Sequence, residues 1–347
     1  MSGETITADT AAVIYTCTME PDEPYDAVPL EDVHETQGPD ETGMLTYVFY
    51  AFNTVITLQA FGEPGACEAA FGKARRACRA FERRFSRTLP HSDIARLNGA
   101  KGAPVPIARD TAELVRAALR YCEESEGLFD VTVGAVVRLW DFHQGVIPDQ
   151  SRIDEALAHV DWRSVRVWEE HSRNADSPQA WAQLADPEAA VDLGGIAKGW
   201  IADELTAIIA GCGVASFIVN LGGNVVAYGR KPGGAPWRIG LQDPRKPGGI
   251  VGAVDVCCAS AVTSGVYERC FERDGTRYHH ILDPATGRPA ETDAAGVTVI
   301  ARRSIDAEGY STTLLAMGIE RGIAFARSCP AIERAYFVDA AGDVHPS

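Results

Sequence analysis

Tyr278-His-His-Ile-Leu-Asp283-Pro-Ala-Thr-Gly287-Arg-Pro289 sets two adjacent histidines against an Asp-Pro step and a glycine turn. A Thr-Ser-Gly triplet, Thr263 to Gly265, stands shortly upstream, and the flanking segments read as strands. So dense a polar knot between strands is poor core material. It is good material for holding a phosphorylated ligand beside a metal ion. Taken alone it reads equally as a polar hairpin tip with two solvated histidines. Three further polar clusters, around Asp130, Asp192 and Glu308, weigh against that.

Outward from this knot, helices and strands are grouped rather than strictly alternating, which favours an α+β fold with antiparallel sheets flanked by helices over a doubly wound one. Tyr47–Phe61, rich in Thr, Val, Ile and aromatics, predicts a long strand or hairpin. Glu63–Arg84 predicts a helix with a basic last turn, Ser92–Gly99 a short helix capped by Ser92, and Thr111–Glu126 a helix closed by Gly127. Residues 169–188 read as an exposed polar loop. Phe217–Tyr228 predicts two strands folded about Leu221-Gly-Gly-Asn224, followed by short strands at 237–241, 252–256, 259–262 and 296–300. Helices are expected from Ile305 to Met317 and from Ile319, then a hairpin around Ala341-Gly342. Residues 1–44, acidic and aperiodic, read as a flexible or strand-poor extension, and 45–347 as the working domain.

With 347 residues and 46% hydrophobic content the chain can bury a sizeable core. Its net charge is -16, and no Lys or Arg precedes Lys73, so nucleic acid and anionic membranes are excluded as main partners. An anionic ligand then needs a local device: a metal ion, a helix N-terminus or one placed Lys. No apolar run is long enough to span a bilayer. The N-terminus lacks the basic and apolar segments of an export signal, and Cys17 has no lipoprotein-type cleavage site before it, so a cytoplasmic location is expected. Nine scattered cysteines with no C-x-x-C read mostly as small buried apolar residues in a reducing compartment.

Val191-Asp-Leu-Gly-Gly-Ile-Ala-Lys-Gly199 looks like a strand end turning through glycines into a helix, where exposed N–H groups suit phosphate. It has neither the Walker spacing nor a dinucleotide fingerprint. Glu308 and Thr312, four apart, share one helix face and offer two oxygens to a hard cation. The alternative is a Thr312 hydroxyl bonded back to the helix, with Glu308 solvated. Asp130, in Gly127-Leu-Phe-Asp-Val-Thr-Val-Gly134, either bonds a heterocycle's N–H groups or caps the helix that follows.

In this order the segments resemble the FAD:protein FMN transferase (ApbE-type) family, over about Phe52 to Gly318. The resemblance rests on Ser92–Asn98, Leu128-Phe-Asp130, Asp192–Gly199, Asn220-Leu-Gly-Gly, Thr263–Tyr267, His280–Gly287 and Glu308–Gly318. It implies a two-lobed fold with FAD and magnesium between the halves. It also implies transfer of FMN from FAD to a threonine of an acceptor flavoprotein, with release of AMP. Carried over by position, Leu128, Phe129, Asp130, Asp192, Lys198 and Ile281 are expected to contact FAD. Gly195 (through its carbonyl), Glu308 and Thr312 are expected to hold Mg2+, and His280 to act as general base. His279 is the open alternative. Three departures stand out: Glu308 where the family usually has Asp, Thr88 where an aromatic is usual, and Phe52-Asn53-Thr54 in place of Met-Gly-Thr. Two rival readings remain on the residues alone, an FAD pyrophosphatase and a non-catalytic FAD-binding protein.

Overall fold

The alternation at 47–61 folds as a hairpin of strands Met44–Ala51 and Thr54–Phe61. Leu45, Tyr47, Phe49 and Ala51 meet Ile56, Leu58 and Ala60 on the buried face. The two-residue turn puts Phe52 and Asn53 at φ 52° and 56°, the left-handed geometry that tight hairpins require. The computed structural model describes residues 33–171 and 178–347. In it the hairpin belongs to a nine-stranded sheet, antiparallel throughout. Its order is His34–Gln37, Met44–Ala51, Thr54–Phe61, Ser216–Leu221, Asn224–Tyr228, Ala259–Gly265, Ala294–Ala301, Arg334–Asp339 and Val344–Pro346. The expected extension is therefore corrected at its end, since His34–Gln37 pairs with Thr46–Phe49. Residues 1–32 of that expectation lie outside the described residues.

Helices Pro64–Phe85, Ala197–Gly211, Ser304–Met317 and Ile319–Ser328 pack on this sheet. A hairpin of Trp237–Gln242 and Ile250–Val256 seals a second cluster, where Trp237, Leu241 and Val256 meet Ala227, Ala261 and Ile300. Strand Ala294–Ala301 is consequently buried at every position. Helix Ser304–Met317 has no polar face: Ile305, Ala307, Glu308, Tyr310, Ser311, Thr313 and Leu314 are all buried. A helix enclosed all round must satisfy its polar residues internally, and that singles out Glu308. Its close approach to helix Ala197–Gly211 depends on Gly199, where a Cβ would lie 2.7 Å from the Glu308 Cβ and from the Ser304 carbonyl oxygen. Gly199→Ala is expected to destabilise by about 1–3 kcal/mol through overpacking. A urea midpoint lowered at constant m-value is the measurement; an unchanged midpoint would mean the helices yield freely.

Between Thr54–Phe61 and Ser216–Leu221 the chain makes a long excursion that builds a second, smaller layer. Three strands, Val105–Ile107, Gln179–Leu184 and Val165–Glu170, form a sheet with Gln179–Leu184 in the middle, and helix Arg109–Glu124 lies over it. The loop expected at 169–188 is thus corrected. Glu169 and Glu170 end one strand, and Ala180, Ala182 and Leu184 bury one face of the next. Residues 172–177 lie outside the described residues. The cysteine expectation is also corrected: of eight described, all free, only Cys67, Cys78 and Cys122 are buried.

Glu204, on helix Ala197–Gly211, faces a like-charged neighbourhood. Burial, then Asp110, Asp203 and Glu113, push its carboxyl up to about 7. The folded-state value exceeds the unfolded one, so ionisation burdens the fold. The penalty is absent below about pH 4.5 and complete above about pH 7. Glu204→Gln should raise stability at pH 8 by about 1–3 kcal/mol and leave it unchanged near pH 4.5. Thermal midpoints at the two pH values test this, and equal shifts at both would refute it.

Candidate active site

Glu308 is 4% exposed, and both of its carboxylate oxygens are engaged. Lys198 Nζ donates to Oε1 and Asn224 Nδ2 to Oε2. Beneath them Ser304 Oγ donates to Asn224 Oδ1 at 2.7 Å, and Ser260 Oγ stands 3.0 Å from Ser304 Oγ. Asp203 takes the Ser304 and Ile305 N–H groups at 2.7 and 3.1 Å, fixing the start of the helix. Burial pushes the Asp203 carboxyl up to about 6 even against those two bonds. The solvated-Glu308 alternative is overturned. Back-bonding is done by the neighbours instead: Ser311 Oγ donates to the Glu308 carbonyl, and Thr313 Oγ1 to that of Gly309. Thr312 Oγ1 turns towards Ser264 Oγ, 3.5 Å away.

The Asp192 turn lies against the Phe129 segment. Asp192 N donates to the Val131 carbonyl at 2.8 Å, while Asp192 Oδ1 accepts from Gly194 N at 2.8 Å. Arg87 Nε reaches Asp192 Oδ2 at 3.1 Å. A Cβ on Gly195 would lie 3.1 Å from the Phe129 ring, so this glycine lets ring and turn meet. Phe129 is buried and Leu128 half-buried. Asp130 is buried and committed to its own turn. Its Oδ1 accepts from Thr132 N and Oγ1 at 2.7 and 2.6 Å, and its Oδ2 from Trp162 N at 3.2 Å. It does not cap the helix that follows, since Gly134–Val137 has Val133 at its N-cap with no side-chain bond.

His279 ends strand Thr276–His279, which pairs with Cys270–Arg273, and His280 follows it. Ile281 and Leu282 are buried; Asp283 then closes the turn, accepting from Ala285 N at 2.8 Å. Trp140 Nε1 donates to the Gly287 carbonyl at 3.1 Å. Gly287 has φ 67°, and a Cβ there would strike Ile153 at 2.6 Å. The solvated-tip alternative fails, because His279 is 6% exposed and the Nδ1 atoms of both histidines are buried without a partner. Burial, then Arg269, His279 and Lys198, hold His280 down to about 4, so its imidazole is neutral near pH 7. Lys198 is the shared neighbour that joins His280 to Glu308.

A glycine-turn Asp and Lys, a neutral histidine and a buried helical carboxylate thus come from segments spread over more than a hundred residues. The ApbE family model matches residues 52–337, which contain all of them. The chain belongs to the ApbE family. It is 38% identical over 257 residues to an FAD:protein FMN transferase of Treponema pallidum, covering 70% of this chain and 69% of that protein. With an FAD:protein FMN transferase of Escherichia coli it shares 33% identity over 236 residues, 66% of each. The crystal structure of the ApbE protein from Thermotoga maritima superposes with a TM-score of 0.75 at 28% identity, covering 87% of this chain and 96% of that one. The flavin transferase ApbE from Vibrio cholerae gives 0.74 at 25% identity, with 88% and 96% covered. Antiparallel sheets with flanking helices are therefore the family's architecture as well as this chain's.

This ApbE-family site contains residues that sequence reasoning missed. Asn224 was legible only as the end of a glycine turn, yet it orients the Glu308 carboxylate. Ser304 and Ser260 had no signal at all. Ser264 stood in the Thr-Ser-Gly triplet and bonds Ser311 at 2.8 Å. The donor set suits a hard cation: a carboxylate, a hydroxyl one turn on, and a Gly195 carbonyl to which no backbone N–H among the described residues is directed. No group of three His, Cys, Asp or Glu able to hold a metal occurs among the described residues. Among the described residues no helix is long and apolar enough to cross a membrane.

Proposed function

We propose that this chain is an FAD:protein FMN transferase that uses Mg2+ and places FMN on a threonine hydroxyl of an acceptor flavoprotein. The observation that carries the reading is the buried Glu308 carboxylate, gripped by Lys198 and Asn224 within a family whose curated members carry that activity. Glu308, Thr312 and the Gly195 carbonyl would hold the ion. When bound, it would supply charge neutralisation on the diphosphate.

Lys198 has the central role among the chain's own groups. Its ammonium is paired with Glu308 and partly open to solvent, so it can swing from the carboxylate to a phosphate oxygen of the substrate. N–H groups of the Asp192–Lys198 turn, at the start of helix Ala197–Gly211, favour the same anion. The Phe129 segment, with Leu128, would border the isoalloxazine, and Ile281 would help to exclude water. His280, neutral, takes the proton of the acceptor hydroxyl as that oxygen attacks the FMN phosphorus. The phosphorus–oxygen bond to the AMP half breaks, and AMP leaves with the bridging oxygen. The diphosphate's negative charge raises the basicity of His280 and so counters its burial.

The test is a flavoprotein coexpressed with and without this chain. A threonine gaining the mass of FMN less one water, together with AMP in the reaction mixture, supports the proposal. Free FMN and AMP with no labelled polypeptide would assign hydrolysis instead, and bound FAD that is never cleaved would assign a binding protein.

A further inference from the structure

Cys257 and Cys258 are the only adjacent cysteines in the chain. They form the two-residue corner at which the chain leaves strand Ile250–Val256 and enters strand Ala259–Gly265 of the main sheet. Packing does not account for them. A cysteine kept as a small apolar residue is buried, as Cys67, Cys78 and Cys122 are, whereas Cys257 is half-buried and Cys258 exposed. Backbone conformation does not account for them either, because Cys258 sits at φ 53°, a left-handed position that suits Gly or Asn.

What the corner achieves is contact between two sulfurs. Cys257 Sγ lies 3.7 Å from Cys258 Sγ, and among the described residues no other pair of cysteine sulfurs is in hydrogen-bonding contact. Cys257 Sγ also donates to the Gly229 carbonyl at 3.5 Å, just past strand Asn224–Tyr228. Burial, then the Cys258 sulfur, push the Cys257 thiol up, so Cys257 keeps its proton. The exposed Cys258 sulfur is the one a solute meets first. A disulfide would bring the two sulfurs to about 2.05 Å. Adjacent Cα atoms are about 3.8 Å apart across a trans peptide, shorter than the roughly 4.4 Å at which ordinary disulfides begin, so this bridge would be strained and easily reduced. No residue lies between the two, so restriction of the unfolded chain offsets little of that strain.

We infer that Cys257-Cys258 is a modification site, at which hydrogen peroxide closes a labile disulfide between neighbouring residues. The Cys258 thiolate attacks one peroxide oxygen and the O–O bond breaks. Cys258 becomes a sulfenic acid, and the departing hydroxide takes a proton from solvent to leave as water. The Cys257 sulfur then attacks the Cys258 sulfur, the S–O bond breaks, and the hydroxyl leaves with the Cys257 proton as a second water. Two thiols are oxidised and one peroxide is reduced. The bridge has no S–H, so the Gly229 carbonyl loses its donor. Together with the strain, that loss makes oxidation weaken the fold instead of stapling it. The inference does not depend on the flavin-transfer reading.

The test treats the full-length protein with hydrogen peroxide, blocks the remaining thiols with iodoacetamide and follows the tryptic peptide Lys246–Arg269, which holds these two cysteines and no other. The expected result is a peptide lighter by two hydrogen atoms and closed to alkylation, returned to the dithiol by reduced glutathione. Oxidised protein should melt below reduced protein, and that difference should vanish in Cys257→Ser and in Cys258→Ser. Cys257→Ser, which lacks the resolving thiol, should carry instead a sulfenic acid on Cys258 that dimedone traps. Two alkylated thiols after peroxide, a sulfinic acid on Cys258 with no bridge, or dimers linked through Cys258 would overturn the site. A bridge that survives glutathione or raises the thermal midpoint would overturn its strained, labile character.

Discussion

Replacing Glu308 with Ala should abolish magnesium-dependent cleavage of FAD, with a loss of about 10²–10³-fold or more, the scale seen when one preorganised electrostatic contact is removed. The carboxylate is the only acidic side chain in the proposed ligand set, so neither Thr312 nor the Gly195 carbonyl can replace its charge. The variant also leaves Lys198 and Asn224 without their acceptor. Breaking a buried ion pair at one end can cost about 3–5 kcal/mol, but Lys198 is partly exposed and can turn to water, so the cost should fall below that range. Glu308→Gln separates stability from chemistry. It keeps the shape and one acceptor oxygen, so the fold should survive while activity is lost. Release of AMP at increasing MgCl2 is the readout. Activity within a few-fold of wild type in both variants would remove Glu308 from the mechanism.

His280→Ala should reduce transfer to the acceptor by about 10²–10⁴-fold while FAD remains bound, since general base catalysis is typically worth that much. Flavin fluorescence titration and covalent labelling, measured on the same preparation, separate the two effects. The neighbour provides the control. His279 borders a groove with Thr276, Arg288 and Thr292 that His280 does not line, so His279→Ala should leave kcat within a few-fold of wild type. Were His279→Ala the variant that loses kcat, the base assignment would pass to it.

The α+β class and most elements of the main sheet were legible because they carry local signals. Alternation marks the 44–61 hairpin, Ser92 caps its helix through Ala95 N at 3.0 Å, and Gly222 and Gly223 hold positive φ in the turn between Ser216–Leu221 and Asn224–Tyr228. Strand Gln179–Leu184 escaped because Gln-Ala-Trp-Ala-Gln-Leu lacks β-branched residues. Its strand character comes from being sandwiched between two partners. Within the site the glycine turn, Lys198, Glu308 and His280 were visible as residue types, whereas their mutual contacts were not. Asn224 lies 84 residues from Glu308, and no spacing along the chain encodes that meeting.

His280 and Glu308 do not share a foundation. The turn after His280 leans on Trp140 and Ile153, outside the large sheet, whereas Glu308 belongs to a helix sunk against that sheet. The proposed base and the proposed cation ligand therefore rest on separate packing units, and the spacing between them is set by how firmly each unit is packed rather than by either residue alone.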